Sequence, residues 1–524
     1  LTMTRFAVAL AVAAVPEALA AIVTGALAIG MRTMAKRNAL VKRMPAVETL
    51  GCTTVICCDK TGTLTRGEMT IRRILCGIRL IEVSGAGYAP EGKLHLPDGM
   101  LESDQALRLL LQGGLLCNDA ELIREGDQWT ITGDPTEGAL LVAAEKAGLH
   151  IADTRVKYRR IGEVPFSSER KRMTTTHASE GGAAIAFMKG AAETVLSRCN
   201  RIAEGNAVRE LSDEERLLIL KNNAMMAGDA LRVLALGYRE LDKSNAAKHD
   251  DLESEMVFLG LVGMMDPPRA EASEAVETCK RVGIRTVMIT GDHQLTAAAI
   301  ARELGIHGTG DLVVNGNDLA DMSETELEQI VERVSVYARV SPMDKLKIVR
   351  AWKAKGQVVA MTGDGVNDAP ALKHADIGVA MGIAGTDVAR EAADMILTDD
   401  NYSTIVNAIK QGRWIYDNIK KYLAYLLESN IAEVVVIGGI VVLLGPDYLP
   451  LLPAAILYLN LATDGLPALA LGVAPPDPDI MARPPRRPDE SVFGWDVKSF
   501  ILRAVVIEVP IYLWIFFSHF DDLE

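Results

Sequence analysis

Cysteine is scarce here and scattered. The seven in the chain have no zinc-ligand spacing, and the adjacent pair Cys57 and Cys58 has no second pair to complete a metal site. That excludes a disulfide-stapled secreted scaffold and a structural zinc module, and reads as reduced thiols. Positive charge is also in deficit. A net charge of −14 leaves no basic surface for a phosphate backbone, so no nucleic-acid partner is expected. Aromatics make up only 5%, and no internal repeat or low-complexity tract stands out. The first apolar run lacks a charged leader and a small-residue cleavage site, so it does not read as a signal peptide. The chain opens on Leu1, and a piece cut from a larger protein is expected.

Long apolar runs are present. Four can cross a bilayer, which takes about 20 residues: 6–31, 422–444, 449–473 and 500–520. Arg32, Lys36, Arg37, Lys42 and Arg43 follow the first run, and Arg413, Lys420 and Lys421 precede the second. The positive-inside rule puts both flanks, and the basic 483–488 connection, in the cytoplasm. An integral, multi-pass protein in contact with membrane lipid is expected, with a cytoplasmic block between the first two spans.

Within that block, four strand-like runs end in an Asp loop. "TTVICC" leads to Asp59, "VFLGLVGMM" to Asp266, "TVMIT" to Asp292 and "VVAMT" to Asp364. Amphipathic stretches such as "EASEAVETCKRVG" and "DKLKIVRAWKAKG" lie between several of them. Apolar strands alternating with helices predict a doubly wound parallel sheet, whose ligands sit outside the carboxyl ends of the strands. Segment 74–250 interrupts the alternation and is too long for a loop, so an inserted domain is expected.

Asp59 is either a turn residue or a nucleophile displayed at a strand end. A carboxylate that attacks phosphorus must be ionised, aligned and relieved of repulsion by Mg²⁺ and cationic or N–H donors. Thr61, Gly62 and Thr63 can turn N–H groups toward a phosphate, Asp364 can share Mg²⁺ with Asp59, and Lys345 can neutralise the transferred group.

"DKTGTLT" at 59–65, "DPPR" at 266–269, "TGD" at 290–292 and "TGDGVNDAP" at 362–370 resemble the signatures of P-type cation-transporting ATPases, in the family's order. The resemblance implies a haloacid-dehalogenase-like phosphorylation domain, with ATP and Mg²⁺ as cofactors. In it Asp59 takes the phosphoryl group, with Lys60 beside it. Thr61 and Asp364 match the Mg²⁺ positions, and Thr290, Gly291, Asp292, Lys345, Asn367 and Asp368 the phosphate pocket. The insert resembles the family's α+β nucleotide-binding domain. Phe166 and Lys171 in "FSSERKRM", Lys189 and Gly190 in "MKGAAE", Glu137 in "DPTEGAL" and Arg232 in "ALRVLAL" match nucleotide contacts. Ser168 departs from the pattern, since calcium pumps often carry Arg there.

In the first span, Pro16 removes an N–H and leaves the Val12 carbonyl without its helical partner, beside Glu17; Ala13 and Val15 offer further carbonyls. Asn430 and Glu433 share one helix face, as do Asn460, Thr463 and Asp464. Glu428 lies about 140° from Glu433 on an ideal helix and is left out of this set. Three carboxylates with neutral oxygens favour Ca²⁺, although Asn460 or Thr463 alone reads equally well as helix–helix glue. "VPEAL", "ESNIAEV" and "NLATDGLPALALG" resemble calcium pumps of the sarcoplasmic-reticulum type and their bacterial relatives, apart from Ala18 where Gly is usual. The Cys-Pro-Cys of heavy-metal pumps is absent. The expected organisation is a broken membrane helix over 1–31, a stalk and the first part of the phosphorylation domain over 32–73, and the nucleotide-binding domain over 74–250. The second part of the phosphorylation domain follows over 251–411, then a stalk and three membrane helices over 412–524.

ATP-driven transport of a cation, Ca²⁺ ahead of Na⁺ or Mg²⁺, across a prokaryotic plasma membrane is the expected function. A membrane-tethered phosphatase of the same fold is the alternative, but it expects a general acid where Thr61 stands. An idle ion-binding subunit leaves the Asp loops without a role. The family's Thr-Gly-Glu loop is absent, so partners in the missing actuator domain and remaining helices are expected, and the chain alone is expected to bind ATP without completing a cycle.

Overall fold

The computed structural model describes residues 2–96, 103–126, 128–178, 184–241, 252–445 and 447–519. Eight strands form one sheet: β1 Ala39–Val41, β2 Val55–Asp59, β3 Arg285–Thr290, β4 Leu312–Asn315, β5 Val334–Ala338, β6 Val359–Gly363, β7 Ile377–Met381 and β8 Met395–Leu397. Their order across the sheet is β1-β8-β7-β6-β2-β3-β5-β4. Only β1 runs antiparallel. After β3 the chain passes to the edge strand β4, returns to β5 between them, then crosses to β6 on the other side of β2. The carboxyl end of β2 therefore lies at the topological switch point, where such sheets open a crevice.

The sequence of β2 explains its central place. Ile56 and Cys58 point into one hydrophobic core, and Val55 and Cys57 into the other. A strand buried on both faces must be apolar at successive positions. Each such side chain contributes roughly 1.5–3 kcal/mol by burial. Helices Ala270–Arg281 and Gln294–Glu303 cover the first face, and helices Pro342–Ala354 and Ala369–His374 the second. Burial pushes the Cys57 thiol up to about 12, so it serves as a small apolar side chain beneath Asp59.

The run that ends at Asp266 differs from expectation. Met256–Met265 lies in a second sheet of nine strands, antiparallel to Arg232–Leu241 and Thr70–Cys76 and parallel to Cys199–Glu204. Its wholly apolar sequence fits a buried strand of either sheet. The partner was decided by Thr70–Cys76, which leaves the Asp59 loop in the antiparallel direction. Both strands therefore join the insert, so its sheet reaches beyond the expected bounds of 74 and 250; residues 242–250 lie outside the described ones. Helices Gln105–Leu116 and Pro135–Lys146 cover one face of this sheet, and Ala192–Leu196 and Asp213–Gly228 the other.

Among the described residues, three helices are long and apolar enough to cross a membrane: Tyr402–Leu444, Pro453–Gly472 and Trp495–Ser518. The first has 43 residues and runs as one continuous rod. The first apolar run forms two shorter helices, Thr2–Ala13 and Leu19–Ala35, separated at Pro16 as expected.

Candidate functional site

Three strand ends of the parallel sheet converge. Asp59 closes β2, Thr290 closes β3 with Gly291 and Asp292 next, and Gly363 closes β6 with Asp364 next. Carboxyl oxygens of Asp59, Asp364 and Asp368 lie within 4.8 Å of one another, the only such acidic group among the described residues. Lys345, from the first turns of helix Pro342–Ala354, donates to Asp59 Oδ2 at 2.5 Å and to Asp368 Oδ1 at 2.7 Å. Asp368 is held in turn, its Oδ2 accepting the N–H groups of Asp364 and Gly365 at 3.1 Å each. Lys60, buried, donates to Asp292 Oδ2 at 2.6 Å. The N–H of Asp59 bonds Thr362 Oγ at 2.9 Å, which fixes the backbone of the nucleophile candidate to the neighbouring strand.

The charges are unevenly satisfied. Burial, and then the charges of Asp59 and Asp368, push Asp364 above the ordinary carboxylate range. Burial opposes the charged form of Lys345, but Asp59 and Asp368 outweigh it and raise its pKa. Three carboxylates with one ammonium between two of them make a pocket short of positive charge. Hard oxygen donors of this kind fit Mg²⁺. Thr61 stands exposed at the rim, followed by Gly62 at φ 75°, and Asn367 is exposed beside the cluster. Thr290 is buried, its Oγ accepting the N–H of Asp292 at 3.1 Å.

Asp266 does not join this group. It accepts from Thr65 Oγ at 2.5 Å and from the N–H of Gly67 at 2.8 Å. Arg269 donates to the carbonyls of Thr65 and Gly62 at 3.1 Å each. The "DPPR" segment therefore clamps the loop that follows Asp59. The strand-then-Asp pattern alone could not separate a clamp from a pocket residue.

In the insert, Glu137 and Lys189 form a partly buried ion pair, and Glu137 Oε2 also accepts the Asp119 N–H at 2.8 Å. Gly190, next on the strand, has the Lys171 carbonyl so close that a Cβ would sit 2.4 Å from it. Phe166 is 62% exposed, a large apolar ring offered to solvent at the end of strand Arg159–Ser167. Lys171 stands at φ 50° in the turn to the next strand. Arg232 starts strand Arg232–Leu241, which pairs with the Lys189 strand, and its charge reaches Asp134. Burial opposes ionisation of Asp134, but Thr136 and Arg232 hold its carboxyl below the usual range. Ser168 is exposed in this turn.

Among the apolar helices the break around Pro16 meets two asparagines. Asn430 Nδ2 donates to the Ala13 carbonyl at 2.7 Å. Asn460 Nδ2 reaches the Val12 carbonyl at 3.5 Å and Glu17 Oε2 at 3.4 Å. The Val12 carbonyl also accepts the N–H of Val15 at 3.3 Å, so it is shared rather than free. Val15 itself is exposed. On the other side, Ser429, Glu433, Thr463 and Asp464 line a cavity of about 410 Å³. Ser429, which the sequence reading missed, donates to Asp464 Oδ2 at 2.6 Å.

A π-type turn over Leu459–Thr463 breaks the regular helix, so Asn460 faces Glu17 while Thr463 and Asp464 face the cavity. The expected single face is thus split in two. The buried atoms Glu433 Oε2 and Asn460 Oδ1 have no hydrogen-bond partner. In the last span Arg503 bonds Ser499 and Glu508 accepts from Tyr512, not from each other.

Comparison with known proteins agrees with this architecture. Residues 106–271 match the cytoplasmic domain N of P-type ATPases, 345–409 the haloacid dehalogenase-like hydrolases, and 448–522 the C-terminus of cation transporting ATPases. The matched segments correspond to domains of P-type cation ATPases. It is 45% identical over 94% of its length to the calcium-transporting ATPase of Bacillus subtilis, 56% of which is covered. It is 43% identical over 97% to a calcium-transporting ATPase of Listeria monocytogenes (56% covered), and 43% identical over 98% to the cation-transporting ATPase pma1 of Synechocystis (57% covered). The chain spans about half the length of these relatives.

Proposed function

We infer that this chain carries the phosphorylation and ion-binding machinery of an ATP-driven pump for a cation, Ca²⁺ before others, in a bacterial plasma membrane. The observation that supports this most is the Asp59–Lys345–Asp368 cluster, which stands at a switch point in the same chain as membrane oxygens without partners. Relatives named for calcium transport support the choice of ion.

In this reading Phe166 stacks on adenine and Lys189 meets the nucleotide, while Thr61, Asp59 and Asp364 hold Mg²⁺. Bound there, Mg²⁺ supplies positive charge to the transferring phosphoryl oxygens and offsets the repulsion within the acidic cluster. Asp59 attacks the γ-phosphorus through a carboxylate oxygen, a P–O bond forms, and the bond to the leaving ADP oxygen breaks. Lys345 follows the charge from the carboxylate to the phosphoryl group, since its Nζ is already 2.5 Å from Asp59. Asp368 keeps Lys345 oriented, and Lys60 does the same for Asp292.

For the cargo, Glu17, Glu433 and Asp464 supply charge, and Asn430, Asn460, Thr463 and the broken-helix carbonyls of Val12, Ala13 and Val15 supply neutral oxygens. Both asparagine amides now turn N–H groups toward these backbone carbonyls. Loading a cation requires each amide to rotate and present its oxygen.

The test is acid-stable labelling of membranes carrying the full-length protein with γ-labelled ATP across a panel of cations. Ca²⁺-dependent label that disappears in Asp59→Asn is the expected result. Label that survives this substitution overturns the reading.

A further inference from the structure

The acidic pocket and the ion-bearing helix are joined by a short loop. Residues 382–386 connect β7 to the helix Asp387–Ala392. At one end of the loop, the carboxylate of Asp400 accepts three successive N–H groups: Gly382 at 2.6 Å, Ile383 at 3.0 Å and Ala384 at 2.8 Å. At the other end, Thr386 donates twice to the main-chain carbonyl of Asp364, through its N–H at 2.8 Å and its Oγ at 3.1 Å. The loop has no slack. A Cβ at Gly385 would lie 2.0 Å from the Met381 carbonyl oxygen, and one at Gly382 2.6 Å from that of Leu397.

Asp400 is itself unusual. It is 4% exposed and sits at φ 49°, a left-handed conformation that Asp adopts more readily than most residues with a Cβ. The next residue, Asn401, caps the 43-residue helix by accepting the Ser403 N–H at 3.0 Å. Asp399 adds a second pin, accepting from Thr404 Oγ at 2.7 Å. That helix carries Asn430 and Glu433 roughly 45 Å further on, at 1.5 Å per residue.

We propose that Asp400 and Thr386 are positioning residues that form a strut between the first turn of the ion-bearing helix and Asp364. A displacement of the helix start moves Asp400, which carries its three N–H groups with it. The packed loop passes this displacement to Thr386 and so to the backbone of Asp364. The inference rests on the reading of Asp364 as a Mg²⁺ ligand and names a control for that same site. Neither residue touches the transferring group.

The experiment measures phosphoenzyme from γ-labelled ATP in the full-length protein while Mg²⁺ and Ca²⁺ are varied separately. Thr386→Val keeps the N–H and the branched shape but loses the Oγ donor. It is expected to raise the Mg²⁺ needed for half-maximal labelling about fivefold, the worth of one hydrogen bond, and Thr386→Ser restores it. Asp400→Ala is expected to raise the Mg²⁺ requirement similarly and to lessen the dependence of labelling on Ca²⁺, with the milder Asp400→Asn between it and wild type. Unchanged Mg²⁺ and Ca²⁺ dependence in these variants, with only a lower melting temperature, overturns the strut. Label retained by Asp59→Asn overturns the underlying reading instead, so the two failures are distinct.

Discussion

At the strand ends, Lys345 stands between Asp59 and Asp368, and Lys60 is closed onto Asp292. Between the membrane helices, no ion pair joins Glu17, Glu433 or Asp464 among the described residues, and Glu433 Oε2 has no partner at all. Both regions are acidic and both take part in the proposed cycle, yet one has built-in counter-charge and the other has none. A catalytic pocket benefits from ammonium groups fixed before the substrate arrives, because no reorganisation is then needed as charge moves. A transport site cannot use them, since a resident lysine would occupy the place of the cargo. The unsatisfied oxygens cost free energy in the empty state, and in the proposed cycle a bound cation would recover it.

This contrast can be broken most severely at Lys345. Lys345→Met leaves Asp59, Asp364 and Asp368 to repel one another, and phosphorylation by ATP is expected to fall on the order of a hundredfold, as for loss of one preorganised donor. Restoration by Arg would show that charge alone suffices, and would weaken the argument for the fixed 2.5 Å contact. In the membrane, Glu433→Gln and Asp464→Asn are expected to raise the Ca²⁺ needed for half-maximal labelling by on the order of tenfold each. An unchanged Ca²⁺ requirement would move the cargo elsewhere. At the nucleotide, Phe166→Ala is expected to weaken binding of an ATP analogue about tenfold, the worth of one base–aromatic stack; fluorescence titration measures it.

The smallest effect sharpens the charge argument. Asp364 has its folded-state pKa raised, so its ionised form opposes folding, and that penalty is present above the raised pKa and absent below the ordinary one. Without Mg²⁺, Asp364→Asn is therefore expected to melt slightly higher than wild type at neutral pH. The gain should vanish as pH falls through the carboxylate range. Calorimetry at two pH values tests it, and equal melting temperatures at neutral pH would contradict the raised pKa.

Much of this was legible in the residues. The apolar run before Asp59 signalled a strand buried on both faces, and the glycine and aspartate after Thr290 and Thr362 marked its neighbours. Proline 16 announced the helix break. Sheet membership was harder to read, because an apolar strand such as Met256–Met265 carries no label for the sheet it joins; that depends on the direction of Thr70–Cys76, a long-range pairing. The split between Asn460 and Asp464 was hidden for a related reason. Their spacing of four fits an α-helical face, and one extra residue in the turn at Leu459–Thr463 undoes it. Ser429 escaped because a serine beside a predicted ligand has no distinctive spacing.

The clamp at Asp266 has an architectural consequence. The outgoing and returning chain meet there as a two-residue bridge between Thr65 and Pro268, tied by Asp266 and Arg269. Some two hundred residues thus hang from a single doorway. A gene in which a short linker replaces everything beyond that doorway should still yield a closed parallel sheet on its helices, and the excised portion should fold by itself. The inserted sheet can then be exchanged like a cartridge without disturbing Asp59.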